Sequence, residues 1–131
     1  MAKFFISYKF TGENPAELEK ALKHICDLID EKGHRTYCSF WDSKMFEEKN
    51  YSHKQILNHA LHELDSSDWV IIFVKSEEKS VGMLLEVGYA LAKKKKLLLI
   101  VKKGVKISYL DEVADKTIEF ENLKQLKEIK I

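Results

Sequence analysis

Apolar positions along the chain change their period several times, and each change marks an element. "KFFISY" (3–8) is a short run of aromatic and branched residues, so a strand. "TGENP" interrupts it, and Asn14-Pro15 supplies an N-cap with a first-turn proline. Leu18, Leu22, Ile25 and Ile29 follow at helical spacing until Gly33 stops the helix. "HRTYCSF" (34–40) predicts a second strand, and the polar, aromatic "WDSKMFEEKNYS" (41–52) a loop. Ile56, Leu57, Ala60, Leu61 and Leu64 make one face of a helix over 53–65. "DWVIIFV" (68–74) is apolar without alternation, as a strand buried on both faces is. A third helix over 80–93 and a fourth strand over 97–102 come next. "KTIEF" (116–120) fits an edge strand, and Leu123, Leu126 and Ile129 suggest a last short helix.

Strand and helix alternate, and the central strands are continuous apolar runs. That is the pattern of a parallel sheet with helices on both faces. The fold class expected is α/β: a single-domain Rossmann/flavodoxin-like sheet of about five strands over residues 1–131, in the order 2-1-3-4-5. Such sheets bind ligands beyond the carboxyl ends of their strands, near the switch point between strands 1 and 3.

Composition narrows the partners. The chain has 131 residues, enough for one ordinary domain. It is 45% hydrophobic and 33% charged, with a net charge of +1, so bulk electrostatics give no reason to expect nucleic acid or a membrane surface as partner. Its apolar runs, Leu97–Val101 among them, are far short of the ~20 residues of a membrane helix. Cys26 and Cys38 lack metal-type spacing and read as reduced thiols of a cytoplasmic protein, and no signal peptide precedes "KFFIS". No metal or other cofactor is expected. Lys93–Lys96 reads as a solvated helix end stabilised by cations against the helix dipole.

The candidate chemistry lies at the strand ends, in "SYKFTGE" (7–13), at Cys38 to Trp41, and in "KSEEKS" (75–80). Glu86 is the one acid in the most apolar helix of the chain. Helical side chains lean toward the N-terminus, so Glu86 points back over the turn that holds Gly82. With no side chain at Gly82, a ligand can lie against the carboxylate, while free N–H groups near Ser80 suit an anion such as phosphate. The competing reading is a partly exposed glutamate paired with a lysine. Phe40, Trp41 and Phe46 could stack on a base, cover a subunit interface or plug the core.

"SVGMLLEVGYALAKKKKLLLIV" resembles the signature of the nucleoside 2-deoxyribosyltransferase superfamily: a small residue and a glycine before the catalytic helix, then E-x-G-x-A, then a strand. Those positions are Ser80, Gly82, Glu86, Gly88 and Ala90, and "ELDSSDWVIIFV" and "FFISYKFTGE" extend the resemblance over about residues 3–102. The Ser-x-Gly-x-x-x-Glu pattern is most similar to the 2'-deoxynucleoside 5'-phosphate N-hydrolase branch. The resemblance implies a nucleotide or nucleoside as small-molecule partner, N-glycosidic bond cleavage or transfer, and a homodimer or larger homo-oligomer with Trp41, Met45 and Phe46 as candidate contacts. It makes Glu86 the nucleophile on the anomeric carbon, Ser80 a phosphate ligand, Gly82 the room for the sugar, and Tyr8, Lys9, Thr11 and Gly12 the loop around the nucleotide, with Phe40 and Trp41 as candidate base contacts. The family's second acid, eight residues before the strand-opening aspartate, falls on Ala60, so either His53, at the start of its helix, replaces it as proton donor, or leaving-group help is weak, or the protein is not catalytic. "FFISY" and a later helix glutamate also look like a Toll/interleukin-1 receptor (TIR) domain, a signalling module or NAD glycohydrolase, although Met83-Leu84 stands where that family has Trp-Cys. A nucleotide-binding sensor without turnover is the third reading.

Overall fold

The computed structural model describes residues 1–128. Five parallel strands form one sheet in the order β2-β1-β3-β4-β5: β1 is Lys3–Tyr8, β2 Arg35–Cys38, β3 Trp69–Val74, β4 Lys96–Lys102 and β5 Lys116–Phe120. The helices are α1 (Pro15–Glu31), α2 (Ser43–Glu48), α3 (His53–Asp65), α4 (Val81–Ala92) and the short α5 (Leu110–Val113). The expected α/β fold and strand order are what the chain adopts.

Side chains of a strand alternate between faces, and the two faces bury different partners. Phe4 and Ile6 of β1 join Ile71, Phe73, Leu98 and Ile100 under α1, where Leu18, Leu22, Ile25 and Ile29 are all buried. Phe5 joins Val70, Ile72, Leu97 and Leu99 under α3 and α4, which contribute Ala60, Leu64, Met83, Val87 and Ala90. Local signals hold the helix starts. Asn14 accepts from the Glu17 N–H at 3.1 Å. Ser52 and Gln55 form a reciprocal capping box that fixes His53 as the first residue of α3.

Two local expectations are corrected. The segment 41–52 is not a loop: a 3-10 turn over Ser39–Asp42 leads into α2. Phe46 is the reason, because it is 7% exposed and its ring stacks on Tyr51 and meets His59 edge-on, which makes one helical turn worth forming. The second strand is shorter than 34–40 for the same cause, since the chain turns into that 3-10 segment after Cys38. The last expected helix is a 3-10 turn over Leu123–Glu128, and Ile129 lies outside the described residues. In the lysine run, Lys94 takes a left-handed backbone (φ 56°), Lys95 donates to the Asp65 carbonyl, and Lys93 and Lys96 lie over the rings of Tyr89 and Trp69, so the run closes a turn.

Candidate active site

Strand parity builds the centre of the site. Ser7 shares a face with Phe5, so the one polar side chain inside β1 is turned toward α4 and is 1% exposed. It donates a hydrogen bond of 2.6 Å to Glu86 Oε1. Burial pushes the Glu86 carboxyl up to about 7, and the Ser7 hydroxyl, which favours the charged form, opposes that rise. Among the described residues no lysine, arginine or histidine lies within ion-pair distance of Glu86. The surface-paired reading of this glutamate is therefore set aside. A desolvated carboxylate without a countercharge is poised to bind a proton or to meet an electron-poor carbon.

Glu86 opens onto a cleft of about 530 Å³ at the carboxyl ends of β1 and β2. Tyr8, Thr11, His53, Ser80 and Gly82 also line it, so six of the residues expected at the site converge there. A Cβ at Gly82 would meet nothing within 4 Å, so the chain leaves open space at this position of the cleft that Glu86 also lines. Ser80 caps α4, its Oγ accepting from the Met83 N–H at 3.3 Å, and the N–H groups of the first turn lack intrahelical partners.

The other expected residues lie apart. Lys9 lines a neighbouring cavity and pairs with Glu78 at 2.6 Å. Gly12 forms the left-handed turn beside it (φ +80°), where a Cβ would sit 3.6 Å from Lys9 Nζ. Phe40 and Trp41 line neither hollow. Phe40 meets Tyr8 and Phe10 and packs against the α1-side core, and Trp41, half exposed, stands edge-on to Phe40. Cys38 is buried in that same core, where burial holds its thiol far above the ordinary range, so it is an inert packing group.

Ser43, Glu47 and Tyr51 have no counterpart in the expectations, and Ser7 and Ser39 fall within the expected strand-end segments but were given no role of their own. The signal for Ser7 was present as a hydroxyl in an otherwise apolar strand. Glu47 and Tyr51 depend on α2, which carries no strong periodicity. Tyr8 shares a hydrogen bond of 3.1 Å with Ser39, tying β1 to the turn after β2, and burial raises its phenol well above its usual range. Ala60 is 3% exposed in the apolar core, so no acid occupies that place. His59 faces Asp42 and Tyr37 instead of the cleft.

A parallel sheet with a partly buried carboxyl group on a cleft at its switch point is where α/β folds bind small molecules. The family model of nucleoside 2-deoxyribosyltransferases matches residues 9–125, and the chain belongs to that family. No curated sequence matches it. In fold it is similar to the CMP N-glycosidase BcmB of Clostridium botulinum (TM-score 0.71, 19% identity, 96% of this chain and 94% of that one). It is also similar to the 2-deoxyribosyltransferase of Bacillus psychrosaccharolyticus (TM-score 0.70, 16% identity, 99% and 93%) and to a conserved protein of Enterococcus faecalis V583 (TM-score 0.64, 14% identity, 98% of both).

Proposed function

We propose that this protein cleaves or transfers at the N-glycosidic bond of a nucleotide or nucleoside, with Glu86 as nucleophile. The observation that carries the reading is the Glu86 carboxylate itself, desolvated, oriented by Ser7 and lining a cleft that is open at Gly82. The family and two enzymes of like fold, an N-glycosidase and a deoxyribosyltransferase, point the same way.

The chemistry follows from charge. As the bond between C1′ and the base nitrogen breaks, positive charge develops on the sugar, and an adjacent carboxylate stabilises it best in a dry site. Glu86 Oε attacks C1′, the bonding pair leaves with the base, and the base takes a proton. Water, or the nitrogen of a second base, then displaces Glu86 from C1′ and restores the carboxylate. His53 is the proposed proton donor, standing in for the acid absent at Ala60. Glu47, also on the cleft, is the second group able to exchange a proton there. Ser80 and the start of α4 receive the phosphate when the substrate carries one, and Tyr8 and Thr11 wall the sugar and base. No cofactor is needed for these steps.

The proposed setting is the cytoplasm, where Cys26 and Cys38, both free and buried, remain reduced. A homodimer belongs to the same proposal. Phe46 is not available for that contact, being packed on Tyr51 and His59. The exposed Val81, Leu84, Leu85 and Leu91 of α4 offer an apolar stripe beside the site.

Incubation with deoxynucleosides, their 5′-monophosphates, ribonucleotides and NAD, followed by chromatography for free base, tests the reaction. Base release from at least one of them is expected, together with a new nucleoside when a second base is added if transfer is the native outcome. No base release from any of them leaves a binding or signalling protein and refutes the enzyme.

A further inference from the structure

A second cavity of about 230 Å³ lies beyond the carboxyl end of β3, and it shares Ser80 and Met83 with the Glu86 cleft. Its apolar lining comes from Phe73, Met83, Ile107 and Leu110. Its rim carries Lys9, Lys75, Lys79 and Lys106, with Glu13, Glu77 and Glu78 as the opposing charges. Lys9 pairs with Glu78 and Lys75 with Glu17 at 3.7 Å, but both glutamates are mostly exposed, so these bonds are weak and exchange readily for a better anion. Glu77 is turned to the backbone N–H of Lys106. The ammonium groups of Lys79 and Lys106 make no ion pair among the described residues. Tyr109 stands at the rim, 78% exposed, with a backbone φ of +72° that a bulky residue rarely adopts.

We propose that one ligand spans both hollows, and that it is a nucleotide carrying a pyrophosphate. The inference rests on the reading of Glu86 as the group that meets the sugar. With the sugar at Glu86, the first phosphate reaches Ser80 and the unpaired N–H groups of α4. A single phosphate ends there. The four lysines line the second cavity and not the Glu86 cleft, so a second phosphate placed beyond Ser80 would meet them. The apolar lining and the exposed Tyr109 ring then provide a bed for a second ring. The chemistry is shared by nucleoside diphosphates and by dinucleotides joined through pyrophosphate, and the second ring separates the two.

Calorimetry on the Glu86→Gln protein decides it, with adenosine, its 5′-monophosphate, its 5′-diphosphate, diadenosine diphosphate and inorganic pyrophosphate, and the cytidine series in parallel. The diphosphate is expected to bind roughly tenfold or more tighter than the monophosphate. Lys79→Glu with Lys106→Glu is expected to abolish that gain while leaving nucleoside binding unchanged. A further gain for the dinucleotide that Tyr109→Ala removes identifies a dinucleotide; no further gain identifies the diphosphate. Equal affinity for mono- and diphosphate, equal weakening of nucleoside and diphosphate by the charge reversals, or no binding of any member including pyrophosphate overturns the proposal. Base release by the wild type is scored separately. Release from nucleosides and monophosphates without a diphosphate preference keeps the reaction and sinks the second cavity. A lysine-dependent diphosphate preference with no base release does the opposite.

Discussion

On one face of β1, Phe4 and Ile6 lie under α1 in a closely packed apolar core; on the other, Phe5 and Ser7 lie under α3 and α4, and Ser7 holds Glu86. The α1 face is sealed by seven buried residues of one helix. The α3–α4 face is interrupted at its carboxyl-end corner, where Ser7, Gly82 and the cap of α4 replace packing with a hydroxyl, an open space and free N–H groups. A close-packed interior tolerates few such gaps, since voids and unpaired polar groups both destabilise. The same strand therefore spends one face on stability and the other on a partly desolvated carboxyl group at the edge of a cleft.

The contrast is sharpest at Glu86. Glu86→Gln retains an oxygen for the Ser7 hydroxyl and removes the proposed nucleophile, so base release is expected to fall on the order of 10³-fold or more. Stability should move the other way. The folded-state carboxyl sits at about 7, above an ordinary carboxylate, so the unfolded chain loses its proton first and the wild type loses stability as pH rises between those values. The glutamine protein is spared that loss. Its melting temperature should match wild type near pH 4 and exceed it at pH 8, by an amount equivalent to about 1 kcal/mol or more. Wild-type turnover in the glutamine protein breaks the comparison.

Ile25→Ala probes the sealed face. Ile25 is fully buried, and truncation there should cost about 2–5 kcal/mol. Chemical denaturation should report that loss, while kcat/KM measured well below the melting point stays within a few-fold of wild type. A large loss of turnover with the fold intact would mean that the α1 face also shapes the site.

How far the chain announces its own structure also differs between these regions. The order of elements and the parallel sheet were legible because β1, β3 and β4 are uninterrupted apolar runs and α1 keeps strict helical spacing. Glu86 stood out because a lone acid in an apolar helix breaks the pattern. The segment 39–52 was not legible: a 3-10 turn and six helical residues carry too short a period to read, and the anchor, Phe46 against Tyr51 and His59, is a tertiary contact. For the same reason Glu47 and Tyr51 were missed, and Phe40 and Trp41, adjacent to the right strand end, lie outside the cleft.

His53→Ala asks whether the open corner supplies its own proton donor. If the imidazolium protonates the leaving base, its loss should lower turnover roughly 10²-fold and remove the fall in rate on the alkaline side. Substrates whose base leaves without a proton, such as a cationic nicotinamide, should be spared. Glu47→Gln under the same conditions tells the two candidates apart, since only the true donor's variant flattens the alkaline limb. An unchanged pH profile in the His53 variant removes that residue from the mechanism.

The smallest effect is also the most specific to the pairing of β1 with α4. On the proposed mechanism, kcat/KM follows the ionisation of Glu86 in the free protein, because only the carboxylate can attack C1′. The rate should therefore rise with pH through about 7. Ser7 donates to the charged form and pulls that midpoint down against the effect of burial. Ser7→Ala deletes the donor, so the acidic limb should move to higher pH while the plateau well above it changes little. Ser7→Thr restores a hydroxyl at the same Cβ and should bring the limb back toward its wild-type position. A merely structural role for Ser7 would lower the plateau and leave the midpoint in place, and the threonine, larger in a buried strand, would then lower it further. A pH–rate profile of the three proteins on one substrate separates these outcomes, because a shift of the limb without loss of the plateau arises only if the hydroxyl acts through the charge of Glu86.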